Sequence, residues 1–271
     1  MTNFALIFIF ILGLNIGSFL NCISYRLFKK QSFTKGRSYC PSCKHTLSFE
    51  DLIPLLSFLF LKGRCRYCKK PISLQYPLVE IATGLIFSLV YNFQAPDFSG
   101  FLIFNTEGLF NFTYYLLISC FLIIIFIYDL EHYIILDRVI YPAILITGAW
   151  QLSSVLFFNT YSWQEFLTLI CIAFLSAFFF FALVVLSRGK GMGVGDVKLA
   201  FFMGLFLGFP DILIALFLSF FLGAVIGGAM ILFGKKTLKS EVPFAPFLVT
   251  GTFIAMFFGE YLMNFYQNIY F

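Results

Sequence analysis

Long apolar runs dominate this 271-residue chain and decide what it can fold into. A helix of about 20 apolar residues crosses the roughly 30 Å of hydrocarbon in a membrane. Such runs lie near 4–24, 77–94, 109–128, 139–158, 164–186, 211–233 and 244–264. A shorter stretch, 197–209, either crosses obliquely or enters the bilayer and returns with its neighbour. The sequence therefore predicts an all-α polytopic membrane protein with about eight transmembrane helices.

Composition and charge placement support the same fold class. Only 11% of the residues are charged, against about a quarter in soluble domains, so the lipid bilayer is the expected partner and nucleic acid is not. The 18 Lys and Arg residues are confined to 26–70, Arg138, Arg188 to Lys198, and 235–239. Because basic loops stay in the cytoplasm, we expect both termini outside and these loops inside.

The loop after the first apolar run is the only stretch with ordinary polar composition. We therefore predict a first transmembrane helix over 1–25, a cytoplasmic domain over 26–75 and a transmembrane core over 76–271. A cleaved signal peptide is the alternative for the first run. That alternative requires basic residues before the run, whereas here they follow it.

Two Cys-x-x-Cys motifs lie in this loop, one formed by Cys40 and Cys43 and the other by Cys65 and Cys68. Pairs at such a separation wrap tetrahedrally around one Zn²⁺ ion. Two disulfides are the alternative, which a reducing cytoplasm disfavours. Four thiolates leave no open coordination position, so the predicted zinc site is structural and holds together a loop too small to fold alone.

An apolar segment of the same loop, Leu52–Leu61, is too short to span a membrane. Two placements are open for this segment. It lies along the membrane interface or beneath the spans, or it forms a small core for the zinc loop.

Two acidic residues lie where apolar runs meet the cytoplasmic side, Asp129 at the end of one run and Asp196 at the start of another. A carboxylate at the edge of a span is a functional candidate. Two carboxyls a few ångströms apart share one proton. The ionised one activates water and the protonated one donates to a scissile carbonyl, which is the chemistry of an aspartyl protease.

The residues around Asp196 allow both this hypothesis and simpler ones. Gly191, Gly193 and Gly195 let a substrate backbone approach the carboxyl closely, and we place Lys198 with them as support for the catalytic loop. Alternatively, Asp129 ends its helix in solvent, Asp196 is a helix N-cap, and Lys198 is its ion-pair partner or a headgroup anchor.

Several motifs in this order resemble the bacterial type IV prepilin peptidases, which are leader peptidase/N-methyltransferases and GxGD-type membrane aspartyl proteases. The matching segments are Gly17–Asn21, Cys40–Cys43, Asp51–Pro54, Gly63–Cys68, Tyr76–Glu80, Tyr128–Leu130 and Gly191–Lys198. The resemblance implies that Asp129 and Asp196 are the catalytic pair.

The resemblance also implies a substrate and a second activity. Family members remove a short basic leader from prepilins and pseudopilins after a Gly, then methylate the new N-terminus with S-adenosylmethionine. The expected location is the bacterial inner membrane, with the active site at its cytoplasmic face. Glu80 is a candidate for binding the cofactor amine or the substrate N-terminus, and an interfacial carboxylate paired with Lys or Arg is the alternative.

The chain departs from the family pattern at two places. Leu136 stands where the family commonly has Pro, and Ala245 stands where it commonly has Gly in Pro-Phe-Gly-Pro. We expect neither change to touch the acidic pair. Two other functions stay open, an ion-coupled transporter, whose acids would lie near mid-membrane, and a non-catalytic factor for pilus or secretion assembly.

Overall fold

A computed structural model describes residues 2–32, 36–94, 106–158, 160–189, 191–233 and 242–270. Nine α-helices cover most of these residues. They are α1 (Thr2–Phe28), α2 (Leu56–Phe60), α3 (Gln75–Gln94), α4 (Thr106–His132), α5 (Asp137–Leu156), α6 (Trp163–Leu186), α7 (Val194–Leu207), α8 (Asp211–Leu232) and α9 (Ala245–Tyr270). A 3₁₀ turn, Phe49–Leu52, precedes α2.

Seven of these helices, all except α2 and α7, are long and apolar enough to cross a membrane. The predicted fold class is therefore confirmed. The eighth candidate, α7, has 14 residues and rises only about 21 Å. The predicted sidedness stays a prediction, and Lys190, Lys235, Lys236 and Lys239, on which it partly depends, lie outside the described residues.

The chain divides into two compact units, Met1–Ile124 and Ile125–Phe271. In the first unit, α1 packs closely on α3. A Cβ added to Gly13 would lie 2.7 Å from the Cα of Gly84, and one added to Gly17 would lie 2.9 Å from the Cα of Glu80. The glycines of α1 thus allow the two backbones to touch. The predicted division at 25 and 75 stays a prediction.

In the second unit, α7 is the central helix and packs against α5, α6, α8 and α9. It crosses α6 at Gly204, where an added Cβ would lie 2.8 Å from the Cα of Ala173. Most of its residues are buried, including Leu199, Phe202 and Met203. This packing fixes the position of the first turn of α7, which carries Asp196.

Candidate active site and metal site

The second unit brings Asp129 and Asp196 together. Asp129 lies in the last turn of α4 and is 5% exposed, and Asp196 lies in the first turn of α7 and is 8% exposed. The charge of Asp196 acts directly on the carboxyl of Asp129. Two buried carboxyl groups from distant parts of the chain therefore lie near enough for the charge of one to act on the other, which the aspartyl-protease hypothesis requires.

The backbone of α7 orients the Asp196 carboxyl. Its Oδ2 accepts a hydrogen bond of 3.0 Å from the N–H of Gly193, and the Asp196 N–H donates to the Gly193 carbonyl at 3.1 Å. Asp196 thus occupies the third helical position and reaches back to the N-cap residue, the carboxylate half of a capping box. The N-cap itself is Gly193, so the N-cap interpretation of Asp196 was wrong.

The N-terminus of α9 reaches Asp129, because the backbone N–H of Ala245 donates to its carboxyl. Sequence reasoning missed this contact, which a backbone group makes and which Gly would also supply, so the expectation that the Ala245 change leaves the acidic pair untouched stays a prediction. The one feature that could have indicated this contact is the place of Ala245 at the start of a helix, because the first N–H groups of any helix lack intrahelical acceptors. Within the described part of the chain, Asp129 Oδ2 is buried without a hydrogen-bond partner. Such an oxygen is suited to receive a proton or a polar substrate group.

The three glycines before Asp196 have different surroundings. A Cβ added to Gly195 would lie 3.0 Å from the Cβ of Ile135, and one added to Gly191 would lie 3.3 Å from the Cβ of Ser187. Around Gly193 the nearest atoms are 3.8 Å or more away. Gly195 is therefore required by packing against the α4–α5 loop. The sequence suggested only that this glycine lets a substrate approach closely.

Lys198 pairs with the start of α5 instead of with Asp196. Its Nζ lies 2.5 Å from Asp137 Oδ1 and 5.1 Å from the centre of the Tyr141 ring. This pair ties the α7 turn that carries Asp196 to α5. Lys198 is therefore the ion-pair partner of Asp137 and not of Asp196, and its support of the catalytic loop stays a prediction.

The first unit gathers Cys40, Cys43, Cys65 and Cys68, whose sulfur atoms all lie within 4.8 Å of one another. The sulfurs of Cys40 and Cys68 are 3.9 Å apart, close to the roughly 3.8 Å edge of a tetrahedron with 2.3 Å zinc–sulfur bonds. A disulfide needs about 2.05 Å, and all four cysteines are free. The donor set therefore fits a tetrahedral metal ion.

The two turns that carry these sulfurs, Cys40–His45 and Cys65–Lys70, have the same backbone hydrogen-bond pattern, and we call each a knuckle. The Cys40 N–H donates to His45 O and the Cys65 N–H to Lys70 O, both at 2.9 Å. Lys44 and Lys69 each adopt φ of 61° just after the second cysteine. Burial acts to raise the pKa of Cys40, but backbone N–H groups at Cys43 and Ser42 outweigh it and lower the pKa to about 7. A thiolate, the form that binds metals, is therefore accessible at this position.

Family models match most of the chain. The bacterial peptidase A24 N-terminal domain matches residues 11–93, and the type IV leader peptidase family matches residues 116–228. A prepilin leader peptidase/N-methyltransferase of Bacillus subtilis (strain 168) is 31% identical over 258 residues, covering 95% of this chain and 96% of the relative. The chain belongs to the type IV leader peptidase family.

Two further relatives extend the comparison. Proteins with the same name from Aeromonas hydrophila and Myxococcus xanthus (strain DK1622) are 30% and 35% identical, covering 97% and 83% of this chain and 93% and 63% of the relatives. No solved structure matches the chain. The resemblance seen in the motifs is thus confirmed, and neither the transporter nor the assembly-factor interpretation finds support.

Glu80 of this leader peptidase is buried at the start of α3. Its Oε2 accepts a 2.8 Å hydrogen bond from the Leu55 N–H, and the Ser18 side chain also hydrogen-bonds to the carboxyl. The described partners are therefore a backbone amide and a hydroxyl, not the Lys or Arg of the alternative interpretation. Glu80 joins three segments of the first unit, α1, α3 and the start of α2.

Proposed function

We propose that this chain is a membrane aspartyl endopeptidase in which Asp129 and Asp196 share one proton and cut the leader from type IV prepilins and pseudopilins. The observation that carries the proposal is the burial of two carboxyls, from distant parts of the chain, near enough for one to act electrostatically on the other. Family membership supports the reaction class, and the relatives' names support the prepilin substrate.

The catalytic step divides the work between the two acids. The ionised carboxyl takes a proton from the attacking water, while the protonated one donates to the carbonyl oxygen of the scissile bond. The Gly193 N–H holds Asp196, and the Ala245 N–H holds Asp129. Fixed donors of this kind keep both carboxyls oriented without reorganisation during the reaction. Because the two carboxyls interact, each step of proton loss is a property of the pair and cannot be assigned to Asp129 or Asp196 alone.

We place the cleavage, which follows a Gly of the substrate, at the cytoplasmic face of the inner membrane. The basic charge of the leader supports this position. A basic leader is retained in the cytoplasm by the same rule that retains basic loops. The hydrophobic helix that follows the leader enters the bilayer. The scissile bond then lies at the boundary, where the cytoplasmic ends of α4 and α7 are proposed to lie.

The metal proposed for the cysteine site is Zn²⁺. When bound, it supplies a structural cross-link, because four sulfurs leave no position for a substrate or water. Cys40 and Cys65 are buried, and Cys43 and Cys68 close the site from the more exposed side. The knuckle backbones orient these four side chains.

N-methylation of the new N-terminus with S-adenosylmethionine is proposed on the relatives' names. Glu80 stays a candidate for binding the cofactor amine or the substrate N-terminus, because its hydrogen bonds with Leu55 and Ser18 leave further acceptor positions on the carboxylate. No step of methyl transfer is assigned to residues of this chain.

The test of the acidic pair uses Asp129→Asn and Asp196→Asn separately, with the full chain in nanodiscs and a leader-bearing prepilin as substrate. Each variant should lose cleavage by more than about a thousandfold, since one member of a proton-sharing pair is then missing. Glu131→Gln is the matched control, because it removes an exposed acid that is close to Asp129 in the chain and outside the pair. Cleavage by either pair variant at the control's rate would exclude the mechanism.

A further inference from the structure

The segment between the two knuckles carries an exposed apolar face. Neither the Phe49–Leu52 turn nor α2 contains a buried residue. Phe49 is 84% exposed and Phe60 is 82% exposed, and Leu56 and Leu59 are also exposed. The interpretation of this segment as a small core for the zinc loop was therefore wrong. We call residues 49–60 the apolar face.

A hydrogen bond fixes the level of this face along the candidate spanning helix α3. Glu80, which accepts the bond from the Leu55 N–H, is the sixth residue of the spanning helix that begins at Gln75. It therefore lies about 8 Å along that helix. The start of α2 is held at the same level, and interfacial helices bury their apolar face about 5–10 Å into the boundary between headgroups and acyl chains, so this level suits such a placement. Leu56 and Phe60 at this level meet lipid more favourably than water.

The charges of the loop domain predicted over 26–75, which we call the zinc module, indicate which kind of lipid it binds. Its exposed basic residues within the described ranges are Lys29, Lys30, Arg37, Lys44, Lys62, Arg64, Arg66, Lys69 and Lys70. Its two acids, Glu50 and Asp51, both bind Arg66, at 3.2 and 2.7 Å. The remaining positive charge attracts anionic headgroups and repels a basic leader peptide.

We propose that the apolar face lies in the headgroup boundary of the leaflet at the start of α3 and that anionic phospholipid headgroups bind the basic residues that follow it. Lys62 is the second residue after α2, and Lys69 and Lys70 lie at the end of the second knuckle, which begins at Cys65. The zinc module is then a membrane-bound domain that holds lipid through apolar and ionic contacts together. This inference does not depend on the proposed peptidase activity.

The test measures amide hydrogen exchange of the full chain in nanodiscs of phosphatidylcholine, with and without phosphatidylglycerol. Amides of residues 52–61 should exchange about tenfold or more slowly when the anionic lipid is present, since each basic residue near such a surface adds to binding. The triple variant Lys62→Gln, Lys69→Gln, Lys70→Gln should lose this difference. The control variant Arg138→Gln, Arg188→Gln, which removes exposed basic residues outside the module, should keep it.

A second pair of changes tests the apolar contact. Phe49→Ser with Phe60→Ser should speed exchange of residues 52–61 in both lipid compositions. The knuckle amides of Cys40 and Cys65, which are hydrogen-bonded within each knuckle, report that the module remains folded. Equal exchange of the native chain in both lipid compositions would overturn the proposal. So would protection that arises only when prepilin is added, because the face would then bind substrate.

Discussion

Alanine substitutions at the three glycines before Asp196 separate a packing role from a substrate-approach role. Gly191, Gly193 and Gly195 are not among the glycines with φ in the left-handed region, so alanine introduces no left-handed strain. The structure predicts unequal effects because the space around each glycine differs. Gly195→Ala should be the most damaging, Gly191→Ala intermediate and Gly193→Ala nearly neutral.

The size of the Gly195→Ala effect follows from one distance. The new Cβ would lie 3.0 Å from the Cβ of Ile135, whereas carbon atoms pack at about 3.5–4.0 Å. The turn that carries Asp196 must therefore move by about 0.5–1 Å. A displacement of 1 Å in a catalytic group costs up to about a hundredfold in rate. We expect kcat to fall about 10- to 100-fold, with little change in KM.

The assay is cleavage of a leader-bearing prepilin by the full chain in nanodiscs, with kcat and KM measured separately. Gly193→Ala is the comparison variant, because its added methyl would lie 3.8 Å from the Gly195 N and 3.9 Å from Asp196 Oδ2 and its N–H still binds Asp196. Gly227→Ala is the control, because its added methyl would meet no described atom within 4 Å. Equal loss of activity in Gly193→Ala and Gly195→Ala would refute the packing explanation. That result would instead favour close substrate approach along the whole glycine segment.

Three further outcomes test other contacts. Ala245→Gly should leave cleavage within about threefold, because the donor to the catalytic acid is a backbone N–H that both residues possess; a large loss would show that the methyl group matters. Lys198→Gln should reduce cleavage by up to about fivefold, the value of a partly exposed ion pair, and the charge swap Lys198→Asp with Asp137→Lys should restore part of the rate. Cys65→Ala should abolish metal binding measured by elemental analysis, whereas Cys171→Ala, which removes a cysteine outside the cluster, should retain it.

The helices and the cysteine cluster were predictable because each depends on a local property of the sequence. Long apolar runs require lipid, and two close cysteine pairs reach one ion through short turns. The short length of α7 was visible in the same way. Its central place in the second unit was not visible, because it depends on which helices approach Gly204 and on how closely they cross.

The acidic pair was predicted from the position of each acid, but the groups that orient it were not. Asp129 and Asp196 stand out as charges beside apolar runs. The donor at Ala245 is a backbone group and leaves no trace in residue type. The contact of Gly195 with Ile135 and the pairing of Lys198 with Asp137 join segments far apart in the chain, so no local pattern reveals them.

The contact between α9 and Asp129 has a consequence for biosynthesis. The ribosome makes α9 after every other helix of the second unit, and its first N–H completes the setting of a residue made more than a hundred positions earlier. A nascent chain that ends before residue 245 has both acids but lacks this donor and the packing of α9 on α7. A chain that ends before residue 245 is therefore expected to cleave more slowly than one that contains α9.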